Sequence, residues 1–313
     1  MAVPIYIITG FLDSGKTSLI KESMEDPEFS DDNFKTLIIQ FEEGEESFSD
    51  KWLEKYNCSI VQLDSSINLD LQTMQLLQDT FKPQQIFIEY NGLESLSELI
   101  TRDLLKEWVI VQILTTIDAS TFLTYMNNMK SYMYEITKYS NAIIFNRVDD
   151  SISKTQLRNN IKVVNREAQI VYINKNGEPE EFTMDDLPFD INSELIDIND
   201  NDYGLWYMDA IENIENYNGK DIRLRGMFME KIPGLQHSFI LGRLAMVCCA
   251  DDMQPIGITV TGVNIQQMKL NNWYEVVGTL KMIDRGDNSN TLVIYAKNVK
   301  TYDKPEYELV SFS

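Results

Sequence analysis

Eight residues near the start of the chain, Gly10-Phe11-Leu12-Asp13-Ser14-Gly15-Lys16-Thr17, have the spacing Gly-x-x-x-x-Gly-Lys-[Ser/Thr]. Glycines at both ends of such a loop let its backbone N–H groups turn inward on a phosphate chain. A helix that starts at the loop's end adds a field favourable to anions. Lys16 then reaches the β- and γ-phosphates, and the Thr17 hydroxyl serves magnesium. Gly10, Asp13, Ser14, Gly15 and Ser18 complete the phosphate-binding set. A glycine turn arising by chance needs no particular neighbours. Here residues 4–9 form a β-branched apolar run that predicts a buried parallel strand, and residues 17–24 read as a helix. Lys16 is expected to be solvent-exposed in such a loop.

Two later stretches narrow the chemistry. Glu89-Tyr90-Asn91-Gly92 follows an apolar strand. An acid at that strand end orients magnesium, directly or through water, and Gly92 can bring its N–H to a γ-phosphate. The bland reading is a strand-end acid and a turn glycine; the phosphate loop upstream favours the functional one. Asn146-Arg147-Val148-Asp149 also follows an apolar strand and matches the guanine-reading pattern Asn-Lys-x-Asp, with Arg147 in the lysine position. A carboxylate at Asp149 accepts from the ring N–H and amino group of guanine, a pattern adenine does not offer. The stem of Arg147 packs over the base as a lysine stem does. The alternative is an ordinary polar loop.

Weaker candidates remain. Acidic residues 42–50 follow the second predicted strand, where Glu42 or Glu45 would orient an attacking water; the other reading is a solvated loop. Cys248 and Cys249 end an apolar run. They are either small core residues or metal ligands assisted by Asp251, Asp252 or His237, because two adjacent cysteines do not complete a tetrahedral site.

The elements that position these residues alternate. Strands are predicted at 35–41, 59–63, 86–89, 109–117, 142–146 and 168–173. Helices are predicted at 69–81, 94–105, 121–139 (one or two) and 154–164. Alternation of this kind implies βαβ units and a mainly parallel sheet covered by helices on both faces. Residues 174–202 are rich in Asn, Asp, Glu, Gly and Pro and read as a linker with little structure. Short β runs then follow at 221–228, 238–247, 256–260, 273–281 and 291–297, which predict a small all-β, OB-like barrel. The expected division is a nucleotide-binding domain over 1–180, a linker over 181–202 and a β-rich domain over 203–313.

Composition sets outer bounds. The chain has 313 residues, with 27 basic against 49 acidic side chains and a net charge of −22. A protein that grips nucleic acid by its backbone needs a basic face, so nucleic acid is not an expected partner. The same charge argues against docking on anionic lipid. Three cysteines make no disulfide framework. No signal peptide is expected, and no apolar run reaches membrane-spanning length. The expected location is cytoplasmic, and the chain itself is not expected to be embedded in a membrane.

Residues 1 to about 175 resemble the nucleotide-binding domain of the CobW family, relatives of HypB and UreG. Thr9 to Thr17 match the family's Thr-Gly-Phe-Leu-x-[Ser/Ala]-Gly-Lys-Thr. Glu42-Glu43-Gly44-Glu45 matches its Glu-x-Gly-Glu, and Glu89 to Leu93 match its Glu-x-x-Gly-Leu. The resemblance implies a GTPase that uses GTP and magnesium, hydrolyses slowly by itself and couples nucleotide state to metal delivery or homeostasis. A metal-receiving protein is then an expected partner. Two features depart from the family. Its Cys-x-Cys-Cys motif corresponds here to residues 63–68, which contain no cysteine, and the chain's one histidine is His237. Zinc held with thiolate affinity is therefore not expected in this part. From about residue 203 the chain resembles instead the C-terminal domain of YcgQ-like proteins, partners of a putative permease. This suggests an alternative function, a nucleotide-gated module that docks on a membrane permease. The features shared are Gly219-Lys220, Gly242-Arg243, Cys248 to Asp251, Pro255-x-Gly257, and Trp273 before Val277-Gly278.

Overall fold

The structure, a computed structural model, describes residues 2–26, 34–246, 253–284, 286, 290–305 and 308–310. Its contacts divide the chain into two compact units. One comprises Met1–Ile152 and Val164–Glu181, the other Ser153–Val163 and Phe182–Ser313.

The first unit runs β1 (Val3–Thr9), α1 (Lys16–Glu25), β2 (Thr36–Gln40), α2 (Asp50–Lys55), β3 (Cys58–Gln62), α3 (Leu71–Phe81), β4 (Gln85–Glu89), α4 (Leu96–Ile100), β5 (Trp108–Asp118), α5 (Phe122–Asn128), α6 (Lys130–Lys138) and β6 (Ala142–Val148). After α7 (Lys154–Val164), which falls largely in the second unit, come β7 (Gln169–Asn174) and β8 (Pro179–Glu180). The sheet order is β3-β2-β4-β1-β5-β6-β7-β8. Every pair is parallel except the last, β7 with β8.

Period-two alternation explains why these strands are apolar throughout. Ile5, Ile7, Leu37, Ile39, Ile86 and Ile88 join one core cluster. Their neighbours Ile8, Ile38 and Phe87 join another with Ile20 and Met24 of α1. A strand buried on both faces needs apolar side chains at every position. Helix ends are marked by side chains that compete with helix: Ser49, Asp70 and Ser95 accept from backbone N–H groups at the starts of α2, α3 and α4.

One predicted helix is shorter than expected, and the region expected to hold one or two helices holds two. The helix expected over 94–105 is only α4, and beyond it the Arg102 side chain donates to the Leu69 carbonyl at 3.1 Å. Residues 121–139 form two helices divided at Met129, whose backbone is non-helical and which follows the weak helix formers Asn127 and Asn128.

The second unit continues with β9 (Ile196–Asp197), α8 (Tyr203–Glu212), α9 (Ile214–Tyr217), β10 (Asp221–Lys231), β11 (Ser238–Met246), β12 (Met253–Thr261), β13 (Trp273–Asp284), β14 (Asn290–Thr301) and β15 (Leu309–Val310). Strand β10 pairs with both β11 and β13, and the circuit β10-β11-β12-β14-β13 closes on itself. Within it β12 and β14 are parallel and the other pairs antiparallel. A closed five-stranded barrel in this order has OB-type topology.

The stretch read as a linker differs from that expectation. Leu187, Phe189, Ile191, Ile196 and Ile198 are buried in the second unit's core, and β9 pairs in parallel with β10. These residues follow neither a helical nor a strand period, so composition alone reads as loop. The unit is also less purely β than expected, because α8 buries Tyr203, Trp206, Met208 and Ala210 in the same core. Helix α7 belongs with them: Arg158 pairs with Glu212 and lies 3.8 Å from Asp209.

Candidate functional site

In a parallel sheet all strands present their C-terminal ends at one edge. Strand β1 lies between β4 and β5, where the order of connections reverses, and in such sheets ligands bind outside that edge. The ends of β1, β2, β4, β5, β6 and β7 deliver Gly10, Glu42, Glu89, Asp118, Asn146 and Lys175 there, at the strand ends or within two residues of them.

The loop 10–17 turns tightly into α1. Gly15 precedes the helix in the left-handed region, with φ 97°, and a Cβ there would come 2.7 Å from Asn146 Nδ2. Ser14 Oγ is 2.8 Å from Thr116 Oγ1. The Gly92 N–H donates to Gly10 O at 3.2 Å, and a Cβ on Gly92 would meet that carbonyl at 2.7 Å. The N–H expected to face a γ-phosphate is thus spent on the loop itself.

Lys16 is buried rather than exposed, at 4% of its surface. The cause is its three partners. Its ammonium donates to Gly10 O at 3.0 Å, to Phe11 O at 2.9 Å and to the Glu42 carboxylate. Thr17 Oγ1 donates to Glu89 Oε1 at 2.9 Å, and Gln40 Nε2 donates to Glu89 Oε2 at 3.2 Å. Burial pushes the Glu89 carboxyl above its ordinary value, against the opposing hydrogen bond from Thr17 and the charge of Lys16. The Glu45 side chain is exposed, and its N–H donates to Asp13 Oδ1 at 3.1 Å. Ser18 Oγ donates to Glu46, and Lys21 Nζ donates to the same carboxylate at 2.7 Å.

At the end of β6, Asn146 Nδ2 donates to Ser14 O. Arg147 takes a left-handed backbone, φ 56°, and donates to Asp118 Oδ2 at 2.7 Å and to Asp13 O at 3.1 Å. Asp149 lies two residues on. It accepts from Ser151 N at 2.9 Å and from Ser151 Oγ at 2.5 Å, and it pairs with Lys175. Lys175 and then Ser151 hold its carboxyl down to about 2.

Two cavities flank the loop. One of about 240 Å³ is lined by Gly15, Lys16, Thr17, Glu45, Glu89 and Arg147 among others. The other, of about 290 Å³, is lined by Phe11, Ser14, Thr116, Asp118, Tyr125 and Arg147 among others. Gly10, Asp13, Ser14, Gly15, Lys16, Thr17, Ser18, Glu42, Glu45, Glu89, Gly92, Asn146 and Arg147 therefore share one edge of the first unit, and Asp149 follows on the same strand end. The sequence pattern does not single out Gln40, Thr116, Asp118 and Lys175, whereas Glu46 falls within the acidic stretch 42–50. Strand polarity was the available signal for Gln40, Thr116 and Asp118, since residues ending parallel strands meet at this edge. Cys248 and Cys249 lie outside the described residues, as do Asp251 and Asp252, and His237 is exposed. Among the described residues no group of three or more His, Cys, Asp and Glu is arranged to hold a metal ion.

Residues 4–172 match the family model described as CobW/HypB/UreG, nucleotide-binding domain. The chain belongs to the CobW/HypB/UreG family. Residues 175–310 match the DUF1980 C-terminal domain, in the region read as YcgQ-like. No curated protein matches the chain. Among solved structures, this family member is similar to the hydrogenase maturation factor HypB from Archaeoglobus fulgidus, at 17% identity over 56% of this chain and 84% of that one, with a TM-score of 0.39. It is similar to the Zn(II)-bound YjiA GTPase from E. coli at 16% identity, over 86% of this chain and 92% of that one, with a TM-score of 0.43. A third likeness is to the signal recognition particle receptor FtsY from Elizabethkingia anophelis in complex with GDP, at 13% identity over 58% and 61% of the two chains, with a TM-score of 0.36. No helix among the described residues is long and apolar enough to cross a membrane.

Proposed function

We propose that this protein binds GTP with magnesium, hydrolyses it slowly and couples nucleotide state to metal homeostasis or metal delivery. Membership of a nucleotide-binding family supports the first part. The observation that carries the choice of guanine is the bond from Asn146 to Ser14, which fastens the Asn-Arg-x-Asp stretch beside the phosphate loop.

The residues divide the work. Loop N–H groups and Lys16 hold the β- and γ-phosphates and stabilise the charge that develops on them. Thr17 and Glu89 would hold magnesium; they are hard oxygen donors already within hydrogen-bond distance of each other, which suits that ion. Bound magnesium neutralises charge on the phosphate oxygens. Glu42 or Glu45, freed from its present contact with the loop when a phosphate takes that place, orients the water that attacks the γ-phosphorus. Asp149 reads the guanine edge, and Arg147, fixed between Asp118 and the Asp13 carbonyl, sits beside the base. The OB-type barrel is read as an interaction module without a catalytic role.

The test is phosphate release from GTP by the full chain in magnesium, with and without a panel of other divalent metals. Slow release that one transition metal changes severalfold supports the whole reading. Release indifferent to every added metal removes the metal-coupling part.

A further inference from the structure

We infer that the acidic segment 42–46 is a built-in phosphate surrogate, holding the side chains a nucleotide's phosphates must use, so that nucleotide binding and displacement of the segment are one equilibrium. The inference rests on the phosphate-loop part of the proposed function and not on its choice of base.

The donor count on Lys16 comes first. An ammonium has three N–H groups. Those of Lys16 go to Gly10 O, Phe11 O and the Glu42 carboxylate. Two of these partners are backbone of the loop itself; the third is the segment. A phosphate oxygen gains a donor from Lys16 by replacing Glu42, and with the Lys16 side chain 3% exposed there is little room for both anions.

The contact extends well beyond one ion pair. Glu46 accepts from Ser18 Oγ, in the first turn of α1, and from Lys21 Nζ one turn further along. Between these two carboxylates the Glu45 N–H donates to Asp13 Oδ1, and an added Cβ on Gly44 would come 3.0 Å from that oxygen. The backbone of the segment thus lies directly on the loop. Its carboxylates satisfy donors on the helix that a phosphate chain approaches. Phosphates and these carboxylates are like charges competing for one set of cations, and the gain from one is lost by the other.

Linkage makes the consequence reciprocal: whatever holds the segment on the loop weakens nucleotide binding by the same factor as nucleotide weakens the hold. The segment leads into α2 through Phe48, whose ring is 5.3 Å from that of Trp52 and 5.7 Å from Lys21 Nζ. Trp52 Nε1 donates to Glu25 at the end of α1 at 2.9 Å. Displacement of Glu46 therefore disturbs the surroundings of a tryptophan.

The experiment titrates the full chain, Glu46→Gln, and Glu43→Gln with GTP and with ATP in magnesium. Affinity is read by calorimetry and tryptophan emission is followed alongside, with Trp52→Phe assigning the signal. Glu43 is exposed and gives the same change of charge three residues away. Glu46→Gln should tighten GTP about three- to tenfold, the worth of one charge-assisted hydrogen bond or less. Glu43→Gln should stay within about twofold, and GTP should shift the Trp52 emission of the parent. Unchanged or weaker affinity in Glu46→Gln overturns the inference, as does equal tightening in Glu43→Gln. If the parent takes GTP and ATP equally but Glu46→Gln tightens both, the surrogate stands and the guanine reading falls. If GTP is preferred and Glu46→Gln changes nothing, the surrogate alone falls. If neither nucleotide binds any of the variants, both fall.

Discussion

The side-chain amide of Asn146 donates to the backbone carbonyl of Ser14, across 132 positions of sequence. The end of β6 is thereby bonded to the phosphate loop, and Arg147 repeats the tie one residue on through Asp13 O. The spacing between Asp149 and Lys16 is then set by hydrogen bonds rather than by loop flexibility. Asn146→Ala should weaken GTP and ATP alike. Asp149→Asn should act on the base alone, because it turns one of the two oxygens that would accept the guanine N–H groups into a donor. The parent is expected to prefer GTP at least tenfold, and the Asp149→Asn penalty should fall on GTP only. Paired calorimetric titrations of the two variants check this.

Lys16→Ala removes the proposed phosphate ligand and also leaves Glu42, only 16% exposed, without its cation. Triphosphate binding should be lost and stability should fall by about 1–3 kcal/mol, the cost of an unpartnered, largely buried group. Adding Glu42→Gln should recover much of the stability and none of the binding. Urea unfolding of the two variants separates the effects; a single variant as stable as the parent would show that the pair contributes nothing to the fold.

The two carboxylates of the site should titrate in opposite order. Glu89 is raised by burial, so on acidification it takes a proton above the usual glutamate value of about 4.3 and stops serving a cation. Asp149 is held down to about 2 by Lys175 and Ser151, so it stays ionised across the same range. As pH falls toward the usual glutamate value, magnesium dependence should fade while the preference for GTP over ATP persists. Magnesium titrations of nucleotide binding at several pH values test the order; a base preference that disappears first would contradict it.

How much of this was legible beforehand depends on how local each signal is. Gly10 to Thr17 carry their meaning in adjacent positions, and β1 and α1 follow from short apolar patterns beside them. The OB-type order of β10 to β14 was also approachable, since each strand is bounded by turn residues. The pairing of Lys16 with Glu42 was not, because nothing at either position specifies its partner across the sheet edge. The same holds for Arg147 with Asp118. Residues 187–198 were misread for a different reason: their apolar side chains fill gaps around a barrel without any repeating period, so burial there leaves no pattern to detect. Helix α7 looked like a part of the alternating βαβ series, yet Arg158 and its partners Asp209 and Glu212 bind it into the second unit.

In that unit Arg243 is a fixed point. It is 1% exposed, and its guanidinium lies 4.9 Å from the Tyr203 ring centre and 5.0 Å from that of Trp273. It donates to Arg225 O and Asp200 O and pairs with the Asp200 carboxylate. Residue 200 belongs to the stretch once read as linker, so this side chain pins that stretch to β10 and β11. Arg243→Ala takes the guanidinium donors from two carbonyls and leaves the Asp200 carboxylate with Tyr302, and should cost roughly 2–5 kcal/mol. Differential scanning calorimetry should show a lower melting transition; an unchanged one would mean the pinning is dispensable.

Steady-state phosphate release by the full chain in magnesium, measured with GTP and with ATP for the parent and for Lys16→Ala, decides between a guanine-specific phosphate-loop enzyme and any other reading of this site. The prediction is slow release from GTP, at least tenfold faster than from ATP, and none above background in Lys16→Ala. Equal release from the two nucleotides, or release from GTP that survives in Lys16→Ala at the parent rate, would contradict it.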